Sequence, residues 1–168
     1  MNGAVTLKER YEEILRRLVE GLQAHYGPRL ISVAVFGSVG RGTQREDSDI
    51  DLLIVARGLP RGRTARVEEF LPVEQRLETW LAPPRAELMP VALSPVLKTP
   101  EEVEAGSPLF LDMVEDARIL HDEGGFLAAY LERFRQRLVA LGSRRVWRGS
   151  TWHWVLKPDL KPGETITL

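Results

Sequence analysis

The chain has 168 residues, a formal net charge of −1, 43% apolar residues and 28% charged residues. That is the composition of one folded domain, and it excludes a disordered chain. Cysteine is absent, which excludes a disulfide scaffold, a thiolate metal site and a cysteine nucleophile. The near balance of 23 basic and 24 acidic residues argues against a protein that coats nucleic acid by bulk charge. No run approaches the ~20 apolar residues of a membrane span. The first residues turn polar at once, so the expectation is a cytoplasmic protein without a signal peptide.

Thr6-Leu7-Lys8-Glu9 is a capping box, with a hydroxyl at the cap and a carboxylate three residues on. Apolar residues then recur at Leu7, Tyr11, Ile14, Leu15, Leu18, Val19 and Leu22, which predicts an amphipathic helix ended by Gly27-Pro28. Leu30-Ile31-Ser32-Val33-Ala34-Val35-Phe36 reads as a buried strand, followed by a loop with Gly37, Gly40 and Gly42. Ile50-Asp51-Leu52-Leu53-Ile54-Val55 is a second strand, apolar on both faces apart from Asp51. A helical pattern runs from Val67 to Leu81, with Pro72 as a kink or restart.

Glu87-Leu88-Met89-Pro90-Val91-Ala92-Leu93 is the expected third strand, its proline suiting an edge or a bulge. Thr99-Pro100 and Ser107-Pro108 open two short helices. Arg118-Ile119-Leu120 is a short strand, and Gly124-Gly125 precedes a longer helix through Phe126, Leu131 and Leu138. The order of elements predicts an α/β (α+β) domain, a small mixed sheet with helices packed on it. Residues 1–98 are read as its core, 99–142 as a helical cover and 143–168 as an irregular tail.

The chemistry concentrates between Val35 and Val55. A strand ends in Gly37-Ser38, where a glycine lets backbone N–H groups approach an anion and a hydroxyl suits a phosphate. Arg41 lies one helical turn beyond Ser38 and can face the same anion. Asp49 and Asp51 are spaced by two, so a strand points both to one face. Two such carboxylates repel unless a cation sits between them, and hard divalent ions bind through carboxylates together with substrate phosphates. A phosphate cradle beside paired carboxylates is a site for a metal–nucleotide complex, with two-metal in-line displacement at phosphorus as its chemistry.

Gly37-Ser38, ten residues, then Asp49-x-Asp51 resembles the signature of the DNA polymerase β-like nucleotidyltransferase superfamily, and in particular its small prokaryotic minimal members. The resemblance implies the nucleotidyltransferase fold, with a C-terminal helical extension. It implies transfer of a nucleoside monophosphate from an NTP, ATP first, to a hydroxyl. Gly37, Ser38, Arg41 and Gly42 would bind the nucleotide, and Asp49 and Asp51 would ligate two Mg²⁺ ions. Catalysing members add a third carboxylate from the next sheet strand, for which Glu87 is the candidate and Asp112 and Glu115 the fallbacks. The acceptor is a protein, an RNA end or a small molecule, and minimal members often modify a HEPN-type protein partner. The alternative is a catalytically weak antitoxin or regulatory module.

Outside that segment the signals are ordinary. Asp47 and Ser48 read as caps of the turn into the second strand, while Thr43, Gln44 and Arg45 have no assigned role. His25, His121 and His153 lack ligand spacing. Arg148-x₄-His153 matches a HEPN ribonuclease spacing, but Gly149-Ser150-Thr151 between them is not helical sequence. Trp147, Trp152 and Trp154, interleaved with Arg144, Arg145 and Arg148, suit pinning of the tail to the domain. A homodimer or partner contact and single-stranded nucleic acid are the rival roles.

Overall fold

The computed structural model describes residues 5–83 and 89–166. Helix α1 (Leu7–Tyr26) opens on the expected capping box, with Thr6 accepting from Glu9 N and the Glu9 side chain returning to the Thr6 backbone. Strand β1 (Leu30–Phe36) leads into the single turn α2 (Gly37–Gly40), then β2 (Ile50–Ala56) and α3 (Arg63–Leu81). Strand β3 (Leu93–Lys98), α4 (Pro100–Glu104), α5 (Leu109–Asp116), β4 (Arg118–Asp122) and α6 (Phe126–Ala140) follow. Strands β5 (Arg144–Arg148) and β6 (Thr151–Val155) end the ordered elements. Helix α3 continues through Pro72 without a break.

The sheet order is β3-β2-β1-β4. Strand β2 pairs antiparallel with β1 and parallel with β3, so the sheet is mixed as expected. Alternation sorts its side chains into two cores. Val33, Val35, Ile50, Leu52 and Ile54 pack with α1 and α3 on one face. Ala34, Leu53 and Val55 pack with α4, α5 and α6 on the other. By the same alternation Asp51 and Asp49 belong to the α5 side of the sheet, while Ile50 faces α1.

Two expectations are corrected. The third strand is Leu93–Lys98, not the segment that starts at Glu87. The partner strand decides this: the parallel ladder seats Leu93 opposite Ile50 and Ser94 opposite Asp51. Ile50 N already donates to Ala92 O at 2.9 Å. Pro95 is accommodated because β3 is an edge strand, as a strand proline requires. The tail is not irregular throughout, since β5 and β6 form an antiparallel hairpin about Gly149-Ser150. Gly149 sits at φ +62°, a conformation that a two-residue hairpin turn demands and glycine supplies.

Buried Tyr11 on α1 links this scaffold to the loop before β2. Its hydroxyl lies 2.6 Å from Ser48 O and 3.0 Å from Arg45 O. Ser48 closes the same turn, its Oγ accepting from Arg45 N at 2.9 Å, which is the capping role read from the sequence. Burial pushes the Tyr11 phenol up, and the charges of Asp47 and Asp49 push it further. Replacement of Tyr11 by Phe deletes one buried donor that reaches two carbonyls of the turn. The expected cost is about 1–2 kcal/mol in urea unfolding, with the loop before Asp49 gaining hydrogen exchange ahead of the sheet.

Candidate active site

The two halves of the motif meet in space. Phe36, the last residue of β1, pairs with Asp51 on β2. Gly37 follows at φ +63°. A Cβ built on Gly37 would collide with Oδ2 of Asp51. The carboxylate therefore lies directly on the glycine backbone, and no other residue type leaves room for it. Ser38 and Val39 continue α2, and the turn closes with Gly42 N on Val39 O at 3.1 Å and Thr43 N on Ser38 O at 2.9 Å. Gly42 takes φ +71° at its exit.

Burial pushes the Asp51 carboxyl up from the ordinary aspartate range, and the charge of Asp49 adds to that shift. Arg41 acts on Asp51 in the opposite direction. Gly37 and Asp51 are thus in direct contact, and the charges of Asp49 and Arg41 are near enough to act on Asp51. The fit to a divalent cation is good on two grounds. Two hard oxygen donors repel each other there, and the glycine keeps the backbone out of their way.

The remaining assignments fare differently. Glu87 lies outside the described residues. Strand β3 itself carries no carboxylate, and its position opposite Asp51 is Ser94. Among the described residues no group of three or more His, Asp or Glu side chains forms a metal cluster. Of the fallbacks, Asp112 is engaged elsewhere: its Oδ1 accepts from the indole N–H groups of Trp152 and Trp154 at 2.8 and 2.9 Å. Glu115 is exposed on α5. Arg148 and His153 stand on hairpin strands and not on a helix, so their HEPN-like spacing has no structural counterpart.

Sequence reasoning missed Asp116. This buried residue at the end of α5 accepts from Arg41 Nη1 at 2.9 Å. It also accepts from Arg145 Nη1 at 3.0 and 3.1 Å. The partners lie 75 and 29 residues away in the chain, so no local pattern announces them. Two of the three tryptophans pin the tail as read, since Trp152 and Trp154 fasten the hairpin to Asp112 on α5, whereas Trp147 is exposed.

A small mixed sheet whose Gly-Ser turn holds a paired carboxylate defines the nucleotidyltransferase class. Residues 15–121 match the family model for the nucleotidyltransferase domain. A Methanocaldococcus jannaschii protein provisionally named protein adenylyltransferase MJ1305 is 30% identical over 124 residues, covering 73% of this chain and 79% of that one. A second protein of that organism, provisionally named protein adenylyltransferase MJ1215, is 39% identical over 54 residues, 32% of this chain and 60% of that one. One chain of a solved complex of a tri-AMPylated Shewanella oneidensis HEPN toxin with MNT antitoxin aligns over 78% of this chain and 92% of that one. Its identity is 15% and its TM-score 0.46. The chain belongs to the nucleotidyltransferase domain family, and it is a nucleotidyltransferase.

Asp51 sets a stability signature. Its folded-state pKa is raised, so the ionised form costs stability at neutral pH, and that cost fades as pH falls through the raised value. Asp51→Asn is therefore expected to melt above the parent protein at pH 7 without divalent metal. The advantage should shrink on acidification toward the ordinary aspartate range. Gly37→Ala is expected to cost about 1–3 kcal/mol in the same melts, because it is strained at positive φ and strikes Asp51.

Proposed function

We propose that this chain transfers a nucleoside monophosphate from ATP to a hydroxyl of a protein acceptor, with Mg²⁺ held by Asp49 and Asp51. The observation that carries the reading is the contact of the Asp51 carboxylate with the Gly37 backbone, Asp49 beside it and Arg41 opposite. The 30% identical relative provisionally named as a protein adenylyltransferase supports a protein as acceptor. In the transfer, the acceptor oxygen bonds to the α-phosphorus, the bond to the bridging oxygen breaks and pyrophosphate leaves.

The chemistry that a bound divalent cation supplies in such a site is neutralisation of phosphate charge and alignment of the displacement. The chain's own residues do the holding. Asp49 and Asp51 supply oxygen donors from the start of β2. The Gly37-Ser38 turn offers backbone N–H groups and a hydroxyl to the terminal phosphates. Arg41 supplies a guanidinium to the same anion. Glu87 is retained as the proposed third carboxylate. A HEPN-type protein, which the resemblance implies, is the first acceptor to try.

The test is incubation of the protein with α-labelled ATP, Mg²⁺ and a HEPN-type protein or native lysate. Label is expected on a protein band with the parent chain. It should vanish with Asp49→Asn plus Asp51→Asn, and it should fall at least tenfold with Ser38→Ala. Undiminished labelling by the double variant overturns the reading. A second readout needs no acceptor: millimolar Mg²⁺ should raise the melting temperature of the parent protein and leave that of the double variant unchanged.

A further inference from the structure

Asp116 and Ser32 are the buried polar residues of the described chain. Ser32 donates to Asp122 at 2.6 Å within the sheet edge, but the transfer chemistry above gives Asp116 no role. An aspartate in that position needs compensation, because a buried carboxylate without a partner is strongly destabilising. Two guanidiniums provide it, one from the loop after α2 and one from the C-terminal hairpin.

The surroundings make this a built device. The Asp116 side chain is 4% exposed and that of Arg145 15%. Trp152 on β6 lies 5.1 Å from the guanidinium carbon of Arg41 and 5.1 Å from that of Arg145. It therefore braces both cations with its ring. Its indole N–H is fixed by Asp112, one turn before Asp116 on α5. A Cβ on Gly40 would collide with the Asp116 backbone oxygen, so α2 is pressed against the end of α5. The direction of Arg41 is thus set by α5 and the hairpin, and not by its own loop.

We propose that Asp116 is a positioning residue for Arg41, and that the hairpin, through Arg145 and Trp152, belongs to the nucleotide-binding apparatus. This rests on the reading of Arg41 as a triphosphate contact. Arg41 meets Asp116 through Nη1, and it caps α2, whose Gly37 touches Asp51, so the carboxylate that orients it lies one short turn from the site it serves. Release of the hairpin would free Arg145, unbrace Arg41 and weaken the hold on the donor.

The experiment is calorimetric titration of ATP with Mg²⁺ into the full chain as parent, Arg41→Gln, Asp116→Asn and the double variant, with thermal melts alongside. Both single variants are expected to lose about tenfold in affinity, the scale of one charge-assisted hydrogen bond. The double variant should lose no more than Arg41→Gln alone. Arg145→Gln, which keeps the buried aspartate paired with Arg41, should weaken binding less, and only when Arg41 is present; it carries the test if Asp116→Asn does not fold. Equal losses with and without Arg41 overturn the proposal, as do folded Asp116→Asn and Arg145→Gln proteins that bind like the parent. If Arg41→Gln alone loses affinity, only the positioning role falls. If the parent binds no ATP, or Arg41→Gln binds as well as the parent, the assignment of Arg41 falls and the positioning role with it.

Discussion

The contact between the Asp51 carboxylate and the backbone of Gly37 organises the rest of the site. A charged oxygen is held against a main chain at positive φ, inside a sheet with helices on both faces. Neither side can yield. Asp51 is the second residue of β2, tied to Phe36 on one side and to Ser94 on the other. Gly37 is locked between β1 and the turn that follows. Burial of Asp51, with the charge of Asp49 beside it, makes its ionised form unfavourable in the apo chain. Charge crowding of this kind clusters at functional sites.

The architecture explains why this corner and no other carries the chemistry. Strand β2 is interior to the sheet and buried on both faces, except where its first turn reaches the edge of the α5 side. There the layer of helices stops at Asp116, and the hairpin closes against the end of α5 through two indole N–H groups on one aspartate oxygen. On the other face, Tyr11 reaches from α1 to hold the carbonyls of the turn that delivers Asp49. Both layers therefore position the carboxylates, one from beneath and one from the side.

Much of this was legible in the residues. Gly37-Ser38 and Asp49-x-Asp51 each sit on an apolar strand, and their separation is short enough for an antiparallel pair to bring them together. The capping box at Thr6 and the helix start at Thr99 were readable because their partners lie close in the chain. Strand β3 was not readable. Leu93-Ser94-Pro95 has weak strand character of its own, and pairing with β2 overrides it. The hairpin left a trace in the alternation of Thr151-Trp152-His153-Trp154-Val155 beside a Gly-Ser pair, but that signal is short. Asp116 left none. Its meaning lies in partners from the other end of the chain.

The charges near the Gly-Ser turn show what the fold leaves for a ligand to complete. Asp49, Asp51 and Asp116 contribute three negative charges, and Arg41 and Arg145 contribute two positive ones. Asp116 is satisfied locally by both arginines, so the surplus falls on the Asp49–Asp51 pair, where Arg41 offsets only part of it. A divalent cation would offset the charge of that pair and give a polyphosphate a positive partner there. Either component alone meets an unfavourable field: the anion faces two carboxylates, and the cation gains a site whose outer face stays open to water. Bound together, the cation offsets part of the charge of both the carboxylates and the phosphates. On the proposed reading, a metal–triphosphate complex suits this arrangement better than either part alone, and the arginine held by Asp116 is the positive end against which that complex would be oriented.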